Sequence, residues 1–340
     1  MNRDSSIFSG RLLDKSERVQ LGLLVGVAAA IAAALAFQRY PEMLARDFTY
    51  PWRGAQVILQ GGNPYDVIRP AGPPPNDMWF MYPLTAALVA LPFAGLSAQA
   101  AGALFAGVGA ALLTYAVSDR GMGRLWILLS TPFAMAVVLA QWSPLLIAGS
   151  LLTPLAWSLT CKPIGLALYV SRPSWRVTLI CAAAVLMAVL VQPSWVADWI
   201  RNTRTLTSHR PPVFHPIGAL ALLALLRWRM PEARLVAAMS LMPQNLYYYD
   251  QLPLLLAART GRDALVLTVF SWIAWGLTRL RCSDPHYCGP DAVEPILTLI
   301  FVPATLLVLL REDGPAWVGS QWVRSLRARI GADRSGSAGE

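Results

Sequence analysis

A long apolar run, Val19–Phe37, is the feature that most limits how this chain can fold. The run is too long for the hydrophobic segment of a secretion signal, and it can cross about 30 Å of hydrocarbon as a helix. The polar residues before it include the basic side chains Arg3, Arg11, Lys15 and Arg18. Because basic residues favour the cytoplasmic side of a membrane helix, we predict a signal-anchor helix with a cytoplasmic N-terminus.

Small residues recur at every fourth position of this run, at Gly22, Gly26, Ala30 and Ala34. A stripe of this kind allows another helix to approach closely. It therefore predicts a packing surface and carries no chemistry.

Further apolar stretches follow at 83–96, 99–117, 125–140, 144–158, 163–170, 175–192, 214–226, 234–258, 264–280 and 293–310. Several are shorter than the roughly 20 residues that a perpendicular span needs, which predicts half-helices, re-entrant hairpins or tilted pairs. Irregular backbone at membrane depth is tolerated only inside protein or beside a wet cavity, so interrupted helices point to a site. We expect an all-α integral membrane protein, a polytopic helical bundle of about nine to eleven transmembrane or half-spanning helices. The membrane domain is expected over 1–311, and the polar segment 312–340 is expected to be a poorly ordered tail.

Charge is scarce and dispersed. Charged residues make up 14% of the chain, whereas soluble domains contain about 25%. The net charge of +9 comes from 28 basic and 19 acidic residues, and all but two of the basic residues are arginines spread over nearly every connection. This distribution is typical of anchoring at a membrane interface. A nucleic-acid-binding protein has a basic stripe on a polar fold, so nucleic acid is not an expected partner.

The four cysteines have two different settings. Cys161 and Cys181 lie in apolar stretches and are most simply small packing residues. Cys282 and Cys288 flank a short polar loop with His286, where a disulfide would form in an oxidising compartment. A zinc site is disfavoured because three ligands at this spacing match no standard pattern, so no metal is expected.

Residues 38–83 form the longest polar segment before the tail, rich in Pro, Gly and Asn. Loops of this length are usually functional or disordered. The segment contains the aromatic residues Phe48, Tyr50, Trp52, Tyr65, Trp79, Phe80 and Tyr82. These favour order against a membrane surface, with a short interfacial helix over Trp52–Gln60. By connectivity, this first external loop lies on the far side from the N-terminus.

Asp47 is the carboxylate of this loop that could carry chemistry. It has a structural interpretation, as the N-cap of a helix starting near Pro51 or as a rim charge paired with Arg46 or Arg53. It has a functional interpretation as a general base. The motifs around it favour the second.

Those motifs resemble the GT-C membrane glycosyltransferases, specifically the polyprenyl-phosphate-sugar-dependent family that includes the bacterial α-mannosyltransferases (the DUF2029 or GT87 group). In that family an acidic residue and an aromatic follow the first transmembrane helix. An amphipathic stretch then leads to a Gly-x-Pro-Tyr turn, and a Phe-x-Tyr-Pro-Pro element opens the second helix. The matching segments here are Asp47-Phe48, Gln56–Gln60, Gly61–Tyr65 and Phe80–Leu84, with Leu84 in place of the second proline.

Weaker similarities continue to about residue 260. The Ala140-Gln141 pair resembles the Gly-Gln element of the family, with alanine in place of glycine, and Lys162-Pro163 resembles its Lys-Pro pair. Pro193–Trp195 is similar to the start of a later external loop. Residues 242–249 stand where the family often has Ser-Pro-x-x-Trp-x-His, but the histidine is absent and Asp250 lies nearby.

The resemblance implies a GT-C-like bundle that transfers a hexose, such as mannose, from a polyprenyl-phosphate donor to a lipid or glycan acceptor. Inverting transfer needs a base for the acceptor hydroxyl proton, and by resemblance this base is Asp47. The leaving phosphate needs cationic stabilisation. The implied location is the bacterial inner (plasma) membrane, with the active site facing the periplasm or exterior and no cofactor required. The oligomeric state stays open.

Two polar side chains in apolar surroundings are the leading binding candidates. Lys162 lies between two apolar stretches, which favours a functional role, although a snorkelling lysine at a helix end is the alternative. Gln141 would contact sugar hydroxyls or bond a neighbouring helix. The remaining candidates for the donor phosphate or sugar are Arg53, Tyr82, His209 and Arg210. Those for the acceptor or substrate cleft are Tyr50, Tyr65, Asn245 and Tyr249.

Two other functions stay open. Broken helices and Lys162 also suit a transporter or lipid flippase, but residues 47–83 have no repeat in the second half of the chain. A non-catalytic relative that binds glycolipid would explain the short chain, Leu84, Ala140 and the missing histidine. A sugar-nucleotide donor is disfavoured because no Gly-rich phosphate-binding motif occurs.

Overall fold

A computed structural model of the chain describes residues 12–41, 46–71, 78–204, 210–244, 246–282 and 288–311. Over these ranges the regular structure is entirely helical and contains no β-strand. The expected all-α class is therefore confirmed. The predicted tail, 312–340, lies outside the described residues.

The α-helices are numbered in chain order. They are α1 Lys15–Arg39, α2 Arg46–Leu59, α3 Pro64–Val67, α4 Leu84–Ala90, α5 Ala98–Val117, α6 Thr131–Val138, α7 Ser143–Leu151, α8 Ile164–Ser171, α9 Trp175–Val191, α10 Trp195–Thr203, α11 Pro216–Ala219, α12 Pro231–Leu241, α13 Gly261–Arg281, α14 Gly289–Ile296 and α15 Val302–Leu309. The longer 3-10 segments are Met122–Leu129, Thr153–Thr160, Leu220–Arg227 and Tyr248–Ala257, and a π-helical turn at Leu297–Phe301 joins α14 to α15.

Four of these helical segments are long and apolar enough to cross a membrane: α1, α5, α13 and the continuous segment Asp291–Leu309. Two bent pairs also qualify as one span each, α6 with α7 at 115° and α9 with α10 at 94°. The outward face of α1 is lined by exposed apolar side chains, namely Leu23, Leu24, Val27, Ile31 and Leu35. A continuous apolar face of this kind suits contact with lipid rather than water. The described part of the chain thus contains four to six candidate membrane spans.

Prolines explain why several apolar runs do not form full-length helices. The run 144–158 leaves α-helical geometry after Leu151, where Pro154 opens a 3-10 segment. The run 234–258 contains Pro243 and Pro253, and its second half is a 3-10 helix. Because proline has no amide hydrogen and clashes with the preceding turn, these runs fold as short segments.

Helices α1 and α5 are antiparallel and pack through small residues. A Cβ on Gly26 would lie 2.8 Å from the Gly107 carbonyl oxygen, and a Cβ on Gly22 would lie 3.0 Å from the Ala111 carbonyl oxygen. A Cβ on Gly107 would meet Ala30 at 2.8 Å. The predicted packing surface is therefore confirmed for Gly22, Gly26 and Ala30. It places the two ends of α1 at opposite ends of the bundle.

Replacing Gly107 by Ala should destabilise the protein, whereas Gly109→Ala should not. The new methyl at 107 forces the two helices apart, at a cost of about 1–3 kcal/mol. A Cβ at 109 meets its nearest neighbour, Pro144 Cβ, at an ordinary 3.5 Å. Both variants gain the same helix propensity, so the difference between their melting temperatures in detergent isolates the contact. Equal melting temperatures would contradict close packing at Gly107.

A disulfide joins Cys282, just after α13, to Cys288. One turn before Cys282, Thr278 Oγ1 lies 2.7 Å from Tyr248 Oη. The disulfide and the start of the 3-10 segment Tyr248–Ala257 therefore lie at the same end of the bundle. Among the described residues, no group of three His, Cys, Asp or Glu side chains could hold a metal ion. His286 is outside the described residues.

Candidate active site

Asp47 lies in the first turn of α2. This helix begins earlier than the predicted Trp52–Gln60 segment, so the interpretation of Asp47 as the N-cap of a helix starting near Pro51 was wrong. The Asp47 carboxylate accepts a hydrogen bond from Tyr82 Oη and lies 3.3 Å from Lys162 Nζ. Its side chain is 23% exposed, which leaves a path for a ligand to reach it.

The backbone of Asp47 is also held. Pro51 lies inside α2 and has no amide hydrogen to donate to the Asp47 carbonyl four residues earlier. Trp142 Nε1 approaches that carbonyl oxygen instead, at 3.5 Å. Pro51 therefore leaves the Asp47 carbonyl oxygen without its helical donor, and Trp142, from a distant segment, contacts that oxygen.

Lys162 lies in the turn between the 3-10 segment Thr153–Thr160 and α8. Its ammonium group contacts two carboxylates, at 2.8 Å from Asp250 Oδ1 and 3.3 Å from Asp47 Oδ2. The side chain is only 15% exposed, so it points into the protein and does not snorkel to the surface. Thr85 Oγ1 donates to the Thr160 carbonyl at 2.8 Å and fixes the turn against α4.

Asp250 is the second carboxylate of the site. It lies in the 3-10 segment Tyr248–Ala257, and its side chain is 3% exposed. The preceding residue, Tyr249, places its ring 5.3 Å from Lys162 Nζ. Ser143 Oγ donates to the Tyr249 carbonyl at 2.5 Å, which ties this segment to the start of α7.

The two carboxylates differ in acidity, and both lie outside the candidate membrane spans. Burial raises the pKa of Asp250 to about 6; Lys162 opposes this rise and the charge of Asp47 adds to it. Burial also acts to raise the pKa of Asp47, but the charge of Lys162 and hydrogen bonds from Tyr82, Lys162 and Gln141 hold that pKa below its usual range. The cluster carries one positive and two negative groups. Because the pKa of Asp250 is the higher of the two carboxyl pKa values, Asp250 is the first of them to take up a proton as the pH falls.

Aromatic rings form the wall behind Asp47. Phe48 stacks on Phe105 with ring centroids 4.0 Å apart, and Phe105 lies 4.8 Å from Trp142. Trp142 lies 6.5 Å from Tyr82, whose hydroxyl reaches Asp47. These rings pack apolar surface beside a carboxylate that is 23% exposed.

The bend between α6 and α7 brings Gln141 to the same site. Ala140 has φ of +45°, a left-handed conformation that costs an alanine about 1–2 kcal/mol and a glycine almost nothing. The turn places the Gln141 side chain in hydrogen-bond contact with Asp47. Within the described part of the chain, the buried Gln141 Oε1 has no hydrogen-bond partner. This oxygen is an acceptor available to a ligand hydroxyl.

Helix α10 positions the segment that carries Tyr82. Trp199 Nε1 donates to the Met81 carbonyl at 2.9 Å, and Asn202 Nδ2 donates to the carbonyls of Tyr65 and Phe80, each at 3.2 Å. Tyr65 Oη in turn donates to the Tyr82 carbonyl at 2.8 Å. The segment just before Tyr82 is therefore held by residues more than 100 positions away along the chain.

The structure brings together five of the predicted site residues: Asp47, Tyr82, Gln141, Lys162 and Tyr249. The other predicted residues lie elsewhere or outside the described part. Tyr65 donates a hydrogen bond to the Tyr82 carbonyl and does not contact Asp47 in this way. Tyr50 is buried with Phe80 and Trp195 in a separate apolar cluster. Arg53 lies six residues after Asp47, about 240° around the axis of α2, and Arg210 is exposed. His209 and Asn245 are outside the described residues.

Sequence reasoning left Trp142 out of the candidate site, and it considered Asp250 only as one of the polar groups that interrupt an apolar run. The signal for Asp250 was present, since it is an isolated carboxylate in the apolar stretch 234–258. Trp142 gave no signal, because its contact with the Asp47 carbonyl depends on the fold.

No protein-family model, no curated protein and no solved structure matches this chain. The assignment of a function therefore depends on the chemistry of the cluster formed by Asp47, Lys162 and Asp250.

Proposed function

We propose that this protein is an integral membrane glycosyltransferase of the GT-C type, which transfers a hexose from a polyprenyl-phosphate donor to a lipid or glycan acceptor with inversion. One observation carries the proposal: a partly exposed carboxylate, Asp47, lies 3.3 Å from a lysine that a second carboxylate anchors. A base beside a cation is what such a transfer requires. The segments that form this pair are also those that resemble the GT-C family.

Asp47 is the better base of the two carboxylates because it is reachable. It is 23% exposed, whereas Asp250 is 3% exposed. In the proposed step, Asp47 takes the proton of the acceptor hydroxyl as that oxygen attacks the anomeric carbon. The bond between this carbon and the phosphate oxygen breaks, and the polyprenyl phosphate leaves with the electron pair.

Lys162 is proposed to stabilise the leaving phosphate. Its shorter contact is with Asp250, at 2.8 Å, so it can turn from Asp47 toward a phosphate while staying anchored. That movement would remove the cation that lowers the basicity of Asp47 just as the donor binds. Gln141 Oε1 is suited to accept a hydrogen bond from a sugar hydroxyl.

The proposed side is extracytoplasmic. Disulfides persist in oxidising compartments, and the Cys282–Cys288 bond lies at the end of the bundle where Tyr248 and Asp250 are found. The proposed architecture is the GT-C-like bundle of about nine to eleven transmembrane or half-spanning helices. The shorter apolar segments Leu84–Phe93 and Pro216–Arg227 would be half-spans in it.

Transfer should fall as the pH drops through about 6. Below that value Asp250, whose pKa is about 6, is protonated and no longer anchors Lys162 by charge. Lys162 then pairs more strongly with Asp47 and makes it a weaker base. An Asp250→Asn variant mimics the protonated form, so its activity should be low and flat between pH 5 and 7. Measuring kcat/KM against pH for both proteins tests this, and an unchanged acidic limb in the variant would contradict it.

The proposed activity is tested directly with proteoliposomes that contain the purified full chain and a radiolabelled polyprenyl-phosphate hexose. Expected is release of polyprenyl phosphate together with a labelled glycolipid when membrane lipids are supplied as acceptors. Donor that binds without being consumed would replace the proposal by that of a non-catalytic glycolipid-binding protein.

A transporter is the second candidate, because a lysine buried between two carboxylates also suits a proton relay. The same proteoliposomes decide between the two. A fluorescent pH indicator trapped in the vesicles would report proton movement for a transporter and no signal for a transferase.

A further inference from the structure

A cavity of about 390 Å³ lies between helix α3, the segment that follows it and helix α10. Its lining residues are Tyr65, Asp66, Arg69, Trp79, Arg201 and Asn202. The lining contains no member of the Asp47 cluster. Tyr65 relates the two places, because its hydroxyl donates to the Tyr82 carbonyl at 2.8 Å. The cavity is therefore a separate site on the first external loop.

Helix α10 turns this cavity away from lipid. It is bent by 94° from α9, so it lies along the membrane surface when α9 crosses the membrane. Its exposed apolar residues Val196 and Ile200 form the face that suits contact with lipid. Because a helix turns by about 100° per residue, Arg201 and Asn202 lie about 120° and 140° from the middle of that face. A ligand of the cavity therefore arrives from water.

The polar side chains of the cavity hold one another in place. Arg201 bridges two carboxylates, at 3.1 Å from Asp66 Oδ1 and 2.9 Å from Asp198 Oδ1. Asn63 Nδ2 donates to Asp66 Oδ2 at 2.8 Å. Arg69 Nε donates to the Asp66 carbonyl at 2.7 Å. Since these groups are ordered without a ligand, little side-chain entropy is lost when one binds.

The balance of charge favours a neutral ligand. The two guanidinium groups of Arg69 and Arg201 stand beside the two carboxylates of Asp66 and Asp198, so these four charges sum to zero. The carboxylates would repel a phosphate as it approached the arginines. Hydroxyl groups suit both kinds of partner, because they donate to a carboxylate and accept from a guanidinium. Asp66 accepts one hydrogen bond at each oxygen, and an ionised carboxylate has about four acceptor sites.

We propose that this cavity binds a neutral sugar unit of a glycan. The half-buried ring of Trp79 supplies an apolar surface for the C–H face of the sugar, and the Arg69 guanidinium lies 5.6 Å from the centre of that ring. Asp66 and Arg69 bond the hydroxyl groups at the edge of the sugar. The volume falls within the range of about 300–1,000 Å³ that small-molecule sites occupy. The site goes beyond the proposed transfer at Asp47 and does not depend on it.

The test measures binding of neutral disaccharides to the purified full chain by saturation-transfer difference NMR. The probes are maltose, cellobiose, lactose and mannobiose, and inorganic phosphate is the charged competitor. The detergent must have no sugar headgroup, because such a headgroup would compete for the site. Wild-type protein should bind at least one of the four probes, and phosphate at equal concentration should not displace it. Binding is measured without a donor, so a failure of glycosyl transfer leaves this test intact.

The decisive variant is Trp79→Ala, with Trp228→Ala as its matched control. Trp228 is an exposed tryptophan outside the cavity lining, and its ring also lies beside an arginine, 5.9 Å from the Arg229 guanidinium. Trp79→Ala should raise the Kd for the bound disaccharide about tenfold, since it removes the aromatic surface. Trp228→Ala should leave that Kd unchanged. Trp79→Phe keeps a ring and should fall between, which also keeps the test usable if the alanine variant folds poorly.

Three results would overturn the proposal. If wild-type protein binds none of the four disaccharides, the cavity is not a site for neutral sugars. If Trp79→Ala and Trp228→Ala bind the disaccharide equally well, the sugar is held elsewhere on the protein. If inorganic phosphate displaces the disaccharide, the cavity is a site for anions.

Discussion

Replacing Asp47 by Asn should reduce glycosyl transfer at least about a hundredfold, because a general base contributes that much or more to such a reaction. The amide has nearly the shape of the carboxylate but cannot accept the acceptor proton. Donor binding should be retained, since Lys162 keeps its contact with Asp250 at 2.8 Å. The measurement is the rate of polyprenyl phosphate release at saturating donor.

Folding should survive this change, which separates catalysis from stability. The cluster of Asp47, Lys162 and Asp250 changes from a net charge of −1 to zero, which relieves repulsion between the two carboxylates. The matched control is Glu294→Gln, which removes a carboxylate that is 65% exposed and paired with Arg281. The control should keep full activity. Full transfer by Asp47→Asn would exclude Asp47 as the base.

Replacing Lys162 by Met should have the largest effect on stability, a loss of about 3 kcal/mol or more. The substitution leaves two neighbouring carboxylates without a cation, the partly exposed Asp47 and the buried Asp250. The loss should be larger at pH 8 than at pH 5.5, because burial raises the pKa of Asp250 to about 6 even beside Lys162, so without Lys162 Asp250 is protonated at pH 5.5 and the repulsion is relieved. Chemical unfolding in detergent at the two pH values measures it.

A double variant separates the two roles of Lys162. Adding Asp250→Asn to Lys162→Met removes the more deeply buried of the two unpaired carboxylates and ends their mutual repulsion, so most of the lost stability should return. Activity should not return, because the leaving phosphate still lacks its cation. Recovery of transfer in the double variant would show that Lys162 acts only through folding.

The long helices could be predicted from the sequence because each follows from a continuous apolar run. The run Val19–Phe37 became Lys15–Arg39, and the run 175–192 became Trp175–Val191. The break at Ala140 could not be predicted, since nothing local requires a left-handed alanine. The bend it creates depends on packing between α6, α7 and the rest of the bundle.

For the site, resemblance identified Asp47, and isolation in apolar surroundings identified Lys162. Their contact joins residues 115 positions apart, and the contact of Lys162 with Asp250 joins residues 88 apart. The positions of these residues in the sequence do not show that they are in contact in the fold. The roles of Arg53 and Arg210 could not be decided from the sequence, because anchoring at an interface and binding a phosphate use the same side chain.

The proline within α2 has a consequence for how a substrate would be received. Since Pro51 leaves the Asp47 carbonyl to Trp142, both the main chain and the carboxylate of Asp47 are held before any ligand arrives. The loss of conformational entropy that comes with ordering Asp47 occurs when the protein folds, so it does not oppose the binding of a substrate. In the proposed reaction Asp47 is thus preorganised, and Lys162 is the group of the pair that would move.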